Sequence, residues 1–214
     1  MKKYYILMAD IIKSREKNSV KIMKDFKEIV SRIQDIHGDH FLSPPTITLG
    51  DEFQSIVTSE SAGVEVIFAF EELLLKLEKN FKLRYILYFG QIDTAINPTI
   101  AYGMLGNGLT ETRRLLGKYK TKKKRFVFSL QNTVLSKELG LAFKIFQSIV
   151  DDWKNKDYKT LKEFFISDDY KKVADQLNKD ASLIWRRKKS LRLSEYQAIK
   201  ELISLLLEDA SCQK

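Results

Sequence analysis

Up to Gly140 the apolar residues of this chain switch back and forth between strand spacing and helix spacing; beyond Gly140 only helical spacing remains. "KKYYILMAD" (2–10) is a near-continuous apolar run rich in aromatic and branched residues, the pattern of a strand buried on both faces. Val20, Met23, Phe26, Val30 and Ile33 then recur at helical spacing. Pro44 and Pro45 stop any helix and open a hairpin of "TITL" and "FQSIV" around Gly50 and Asp51. Ser61 can cap the next helix, "AGVEVIFAFEELLLKLEKN", whose apolar girth predicts deep packing. "KLRYILYFGQI" (82–92) reads as a strand and "PTIAYGML" as a weaker one. "GNGLTETRRLL" (106–116) reads as a glycine-led helix, "RFVFSL" as a short strand and "QNTVLSKELG" as a short helix.

The opening order β-α-β-β-α-β is that of the split βαβ, or ferredoxin-like, arrangement. The fold class read from the sequence is therefore α+β, with a mixed domain over residues 1–140 and an all-helical one over 141–214. A chain of 214 residues with 13 Phe and 9 Tyr has enough apolar bulk for such cores, which excludes a disordered chain. The single cysteine, Cys212, rules out an intramolecular disulfide and suits a reducing compartment. The apolar stretch after Met1-Lys2-Lys3 is too short for a signal peptide and ends at Asp10; no apolar run approaches the length of a membrane span. The expectation is a soluble cytoplasmic protein. A net charge of +9 points to an anionic partner, and two clusters carry cations without any acid: "KYKTKKKR" (118–125) and "WRRKKSLR" (185–192).

Asp10 closes the first strand, and Asp51 and Glu52 sit at the hairpin tip. In a split βαβ sheet those elements are neighbours, so Asp10 and Asp51 meet at one sheet edge. Adjacent carboxylates repel, and a Mg²⁺ or Mn²⁺ ion relieves the repulsion while binding phosphate oxygens. The candidate metal residues are Asp10 and Asp51, with Glu52 as an accessory acid. Asp93 reads as a surface loop acid. His37 and His40 flank Asp39 after a helix, and His37 fits a helix C-terminus better than a metal site.

The same segments resemble a known group. "ILMADIIKSR" is similar to the first metal motif of class III nucleotide cyclases, and "TITLGDEF" to their second. "RYILYFGQIDTA" resembles their glycine-containing strand, and "MLGNGLTETRRLL" their glycine-then-helix segment, which ends in a triphosphate-facing arginine. "GDEF" is also the core of the diguanylate cyclase signature; both families use the palm fold. By that pattern Arg114, or Arg113 beside it, holds phosphate; the basic loop of Lys122, Lys123, Lys124 and Arg125 is a further candidate for a phosphate contact, which no spacing rule demands. The pattern also has departures. Ile47 stands where cyclases place a purine-reading lysine, and Thr110 where they place an asparagine. Over almost its whole length the chain resembles the bacterial SatD family, which pairs a palm-like region with a C-terminal helix-turn-helix. The SatD resemblance implies a palm fold; a nucleotide ligand and a Mg²⁺ or Mn²⁺ ion are hypotheses carried from the carboxylates and the cyclase-like motifs, and a homodimer is expected if the resemblance extends to how cyclases assemble their sites.

The helix-turn-helix is placed at about 157–192, with "YKTLKEFFIS", "YKKVADQLN" and "DASLIWRRKKSLR" as its three helices. Ser182, Trp185, Arg186 and Lys189 would face DNA, with Arg187, Lys188 and Arg192 near phosphates. Arg187 and Lys188 fall where the inward face calls for an apolar residue, which equally fits a helical interaction module with a charged face. The readings carried forward are a regulatory protein that binds a metal-nucleotide or similar anion and DNA, a divalent-metal-dependent nucleotidyl transferase or cyclase, and an adaptor with a vestigial palm domain.

Overall fold

In the computed structural model, which describes residues 2–14 and 19–212, five strands form one sheet in the order β2-β3-β1-β4-β5. The strands are β1 (Lys2–Ile11), β2 (Phe41–Ile47), β3 (Glu52–Val57), β4 (Leu83–Ile92) and β5 (Phe126–Ser129). The first four are mutually antiparallel in the split βαβ order, and β5 joins the edge parallel to β4. The helices are α1 (Ser19–Ile36), α2 (Glu60–Lys76), α3 (Asn107–Tyr119), α4 (Thr133–Val150), α5 (Tyr158–Phe164), α6 (Tyr170–Leu177), α7 (Ala181–Ser190) and α8 (Leu193–Cys212).

Alternation along β1 divides the molecule into two cores. Leu7, Ala9 and Ile11 face a large core shared with Phe26 of α1, Phe70 of α2 and Phe143 and Phe146 of α4. Ile6 and Met8 face a smaller core closed by Leu109 and Leu116 of α3 and by Ala101 and Met104 of the 93–106 loop. The large core runs without a break into the tail, taking in Trp153, Leu161, Ile184, Tyr196 and Ile203. Gly140 lies inside α4 rather than between domains, because α4 is amphipathic through to Val150 and packs on both β5 and α8.

Three local expectations are corrected. The α2 cap is Ser59, whose side chain accepts from the Ala62 amide, not Ser61. Pro44 and Pro45 lie within β2, which begins at Phe41; β2 is an edge strand with register shifts there, where a missing N–H is tolerated. "PTIAYGML" forms no strand. Its backbone is tied instead to side chains, with Asn97 Oδ1 accepting from the Thr99 amide at 3.0 Å and Gln54 Nε2 donating to the Ala101 carbonyl at 3.0 Å.

A buried guanidinium fastens the sheet to its helices. Arg125, 3% exposed in its side chain, donates to the Leu83 carbonyl (2.9 Å), to Asp151 (2.6 Å) and to both oxygens of Glu71 (2.5 and 2.6 Å). Tyr85 also donates to Glu71, at 2.9 Å. Removing one partner of a buried pair leaves an uncompensated charge. Glu71→Gln is expected to destabilise the protein by about 3–5 kcal/mol, read as a lower urea midpoint. Glu111→Gln, whose partner Arg114 is exposed, should leave the midpoint unchanged.

Candidate functional site

Cross-strand register sets three charged side chains in one row. Asp10 of β1 lies between Glu52 of β3 and Arg84 of β4, and alternation puts all three on the face that carries Met8 and Ile86. Arg84 Nη1 donates to both Asp10 oxygens at 3.0 Å, and both side chains are almost fully buried. The tip of the β2–β3 hairpin turns through Gly50 at φ 78°, with the Thr48 amide donating to the Glu52 carbonyl at 2.9 Å. The turn brings the Asp51 carbonyl to the Ile11 amide (2.8 Å) and the Asp51 carboxylate to the Ser14 hydroxyl (2.7 Å).

Helix α3 lies over this row because glycines let it approach β4. A Cβ on Gly108 would lie 2.7 Å from the Gln91 carbonyl oxygen, and one on Gly90 would lie 2.7 Å from Gly108 Cα. So seated, α3 points Arg113 at Glu52, with Nε 3.1 Å from Oε1, and its end places Lys120 Nζ 3.7 Å from Asp10. Glu52 is 4% exposed in its side chain, whereas Arg113 and Lys120 are 50% and 49% exposed. The result has two layers, buried carboxylates beneath and half-exposed cations above.

The structure brings Asp10, Asp51, Glu52 and Arg113 together. It does not bring in Arg114, which pairs with Glu111 on the exposed side of α3. Lys122 stays exposed over the Tyr119 ring at 5.2 Å. Asp93 lies at the opposite end of β4 from Arg84, hydrogen-bonded to Gln91. His40 pairs with Glu65 at 2.7 Å, and the His37 ring stands at right angles to it. Ile47 packs against the large core, on the other face from the row, and Thr110 is exposed. Arg84 and Lys120 are the site residues that motif reading missed. Arg84 did leave a signal, as a charge inside the apolar run "LRYILYFGQI" on the Ile86 face.

Asp10, Asp51 and Glu52 offer the oxygen donors that Mg²⁺ and Mn²⁺ take. Among the described residues, however, no group of three or more His, Cys, Asp or Glu is placed to hold a metal ion. Both oxygens of Asp10 already accept from a guanidinium that cannot deprotonate. A divalent ion about 4 Å from that guanidinium would be repelled by roughly 8 kcal/mol at an effective dielectric near 20. The arrangement as it stands does not fit a shared metal.

In the tail, α6 and α7 are joined at 178–180, with Asn178 left-handed at φ 51°. Asp180 caps α7 and also accepts from the Ser182 hydroxyl at 2.6 Å. Trp185, Arg186 and Lys189 lie exposed with Ser182, and Lys189 stands 3.8 Å over the Trp185 ring. Arg187 and Lys188 turn inward, Arg187 to the buried Asp157 and Lys188 to Asp168 at 2.7 Å. Arg192 is half-buried beside Arg187 and Lys154.

A five-stranded sheet of split βαβ order, with an acid–base row at one end and helices continuing its core, defines an α+β protein of the ferredoxin-like class. Within that class the chain belongs to the SatD family, whose model matches residues 4–206. No curated protein matches it. Among solved structures it is similar to a bacterial light-regulated adenylyl cyclase, at 18% identity and a TM-score of 0.46 over 59% of this chain and 42% of that one. It is also similar to the monomeric guanylyl cyclase domain of a RhoGC fusion protein from Blastocladiella emersonii, at 14% identity and a TM-score of 0.37, over 54% of this chain and 77% of that one. The guanylate cyclase domain of RhGC from Catenaria anguillulae gives 13% identity and a TM-score of 0.38, over 55% of this chain and 75% of that one. The chain thus spans less than half of the light-regulated cyclase. No helix among the described residues is long and apolar enough to cross a membrane.

Burial pushes the Asp10 carboxyl up to about 6; Arg84 and Lys120 oppose the rise, and Asp51 and Glu52 add to it. The unfolded value is near 3.9. Between the two, the folded state holds a proton that the unfolded state has lost, so this group's contribution to stability falls as pH rises from about 4 to about 6. Urea unfolding across that range should show the wild type losing stability relative to Asp10→Asn, then levelling off. The opposite trend would mean that Arg84 outweighs burial.

Proposed function

We propose that the chain is a ligand-sensing regulator that binds a phosphate-bearing anion, a nucleotide by class, at the α3-covered end of the sheet. The observation that carries this reading is the two-layer charge arrangement. Arg113 and Lys120 are half in solvent, yet each is held from beneath by a buried carboxylate, Glu52 and Asp10 respectively. Anchored cations lose little freedom when an anion arrives, and charge-assisted hydrogen bonds to phosphate are the strong ones. Lys118 and Lys122, two residues to either side of Lys120, add positive charge to the same segment. The motif resemblance to nucleotide cyclases makes a nucleoside triphosphate the first ligand to try. Binding rather than cyclase turnover is proposed, because Ile47, packed on the large core, and the exposed Thr110 stand where the cyclase pattern has a lysine and an asparagine. Stabilisation by ATP, GTP, CTP and UTP, read as a rise in Tm, tests it. Arg113→Gln should weaken the effective ligand at least about tenfold, the loss expected for one charge-assisted hydrogen bond. No shift with any triphosphate would leave the adaptor reading.

DNA binding by the tail is the second part of the reading. It is supported by the exposed face of Trp185, Arg186 and Lys189 on the helix that follows the tight 178–180 connection. Arg187 and Lys188 are assigned to packing and not to DNA. Fluorescence anisotropy with duplex DNA should give salt-dependent affinity, and Arg186→Ala with Lys189→Ala should reduce the log–log salt slope by about one per lost phosphate contact. An unchanged slope would remove DNA from the proposal.

A further inference from the structure

We propose that Arg84 is a built-in counter-cation that takes the place of a divalent metal at Asp10, so that this site binds its phosphate-bearing ligand without Mg²⁺ or Mn²⁺. The inference rests on the anion-binding reading above and specifies the ligand as a metal-free anion.

Strand register fixes the position of the guanidinium. Arg84 is the β4 partner of Asp10, and its side chain has no solvent route by which to swing away, being 4% exposed. Nη1 covers both carboxylate oxygens at 3.0 Å, which are the donors a metal would need. Nη2 reaches the Lys120 carbonyl at 3.3 Å, so the same side chain also seats the residue whose ammonium faces Asp10. Arg84 Nε is the one buried side-chain polar atom without a partner among the described residues, so the hydrogen bonding of the cluster is not closed. Charge balances within the cluster: Asp10, Asp51 and Glu52 stand against Arg84, Arg113 and Lys120. A cluster already neutral gains little from a divalent ion, whereas its outer cations, Arg113 and Lys120, stay half-exposed to an arriving anion.

The unmodified 214-residue chain tests this directly. Electron paramagnetic resonance of Mn²⁺ with the ligand-free protein should show the signal of free Mn²⁺ only. Triphosphate binding should have the same affinity in EDTA as with Mn²⁺. Arg84→Met should convert the protein into a Mn²⁺ binder, with loss of the free-ion signal. Because that variant leaves Asp10 buried without a partner, Arg84→Met combined with Asp10→Asn serves as a neutral control that should bind no Mn²⁺. Bound Mn²⁺ in the wild type, or triphosphate binding that EDTA abolishes, would overturn the inference while leaving an anion site in place. No triphosphate binding with or without Mn²⁺ would overturn both the inference and the reading beneath it.

Discussion

Arg125 carries a charge that it cannot give up, at a place where water does not reach. Desolvating such an ion costs several kcal/mol, and only good geometry and a full set of acceptors offset that. Arg125 has them: Glu71 from α2, Asp151 from the end of α4 and the Leu83 carbonyl from β4. Its own carbonyl accepts from the Tyr85 amide at 2.7 Å, which sets β5 beside β4. Because α3 is the crossover between those two strands, its far end is fixed once β5 is fixed. Its near end is fixed by the contact between Gly90 and Gly108. With both ends held, Arg113 and Lys120 have one place to go, which is over Glu52 and Asp10.

Two buried ion clusters therefore sit in one sheet with opposite character. Around Arg125 the buried side-chain donors all find acceptors, and the group acts as a joint. Around Arg84 the balance is incomplete: a buried N–H lacks a partner, the Asp10 carboxyl is pushed up by burial, and two of the three cations are half in water. A closed cluster specifies structure. An open one, kept in place by its surroundings, is where a fold departs from its own best stability, and such departures gather at functional sites.

The sheet was legible because its signals are local. Alternating period, the hairpin glycine and the apolar β1 each act over a few residues, and the strand order followed from the split βαβ pattern. What stayed hidden depends on partners distant in sequence. Pro44 and Pro45 look like strand breakers until β2 is known to be an edge strand. "PTIAYGML" has strand composition, but its backbone is satisfied by Gln54 and Asn97 rather than by a ladder. Asp10 stands out at the end of β1, whereas nothing local links it to its ion-pair partner Arg84, 74 residues away. Choosing between Arg113 and Arg114 required the rotation of α3, which its glycine contacts determine and its sequence period does not.

The basic run of α7 shows why charge counts alone do not locate an interface. Arg187 and Lys188 stand midway between the buried Ile184 and Leu191, so the helix turns them inward, where Asp157 and Asp168 receive them. Asp157 lies just past Trp153, whose indole donates to the Leu191 carbonyl at 2.9 Å, and Asp151, two residues before Trp153, holds Arg125. The segment 151–157 thus makes polar contacts to the sheet at its start and to α7 at its end. Glu72, next to Glu71 on α2, takes Tyr196 and Lys200 of α8. Half of the α7 charge is therefore held by acids of the tail itself, Asp157 and Asp168, and the half at Arg186 and Lys189 stays on the exposed face. A run that looks uniform in sequence is divided by helical period into an attachment and a surface, and its total charge says nothing about where that division falls.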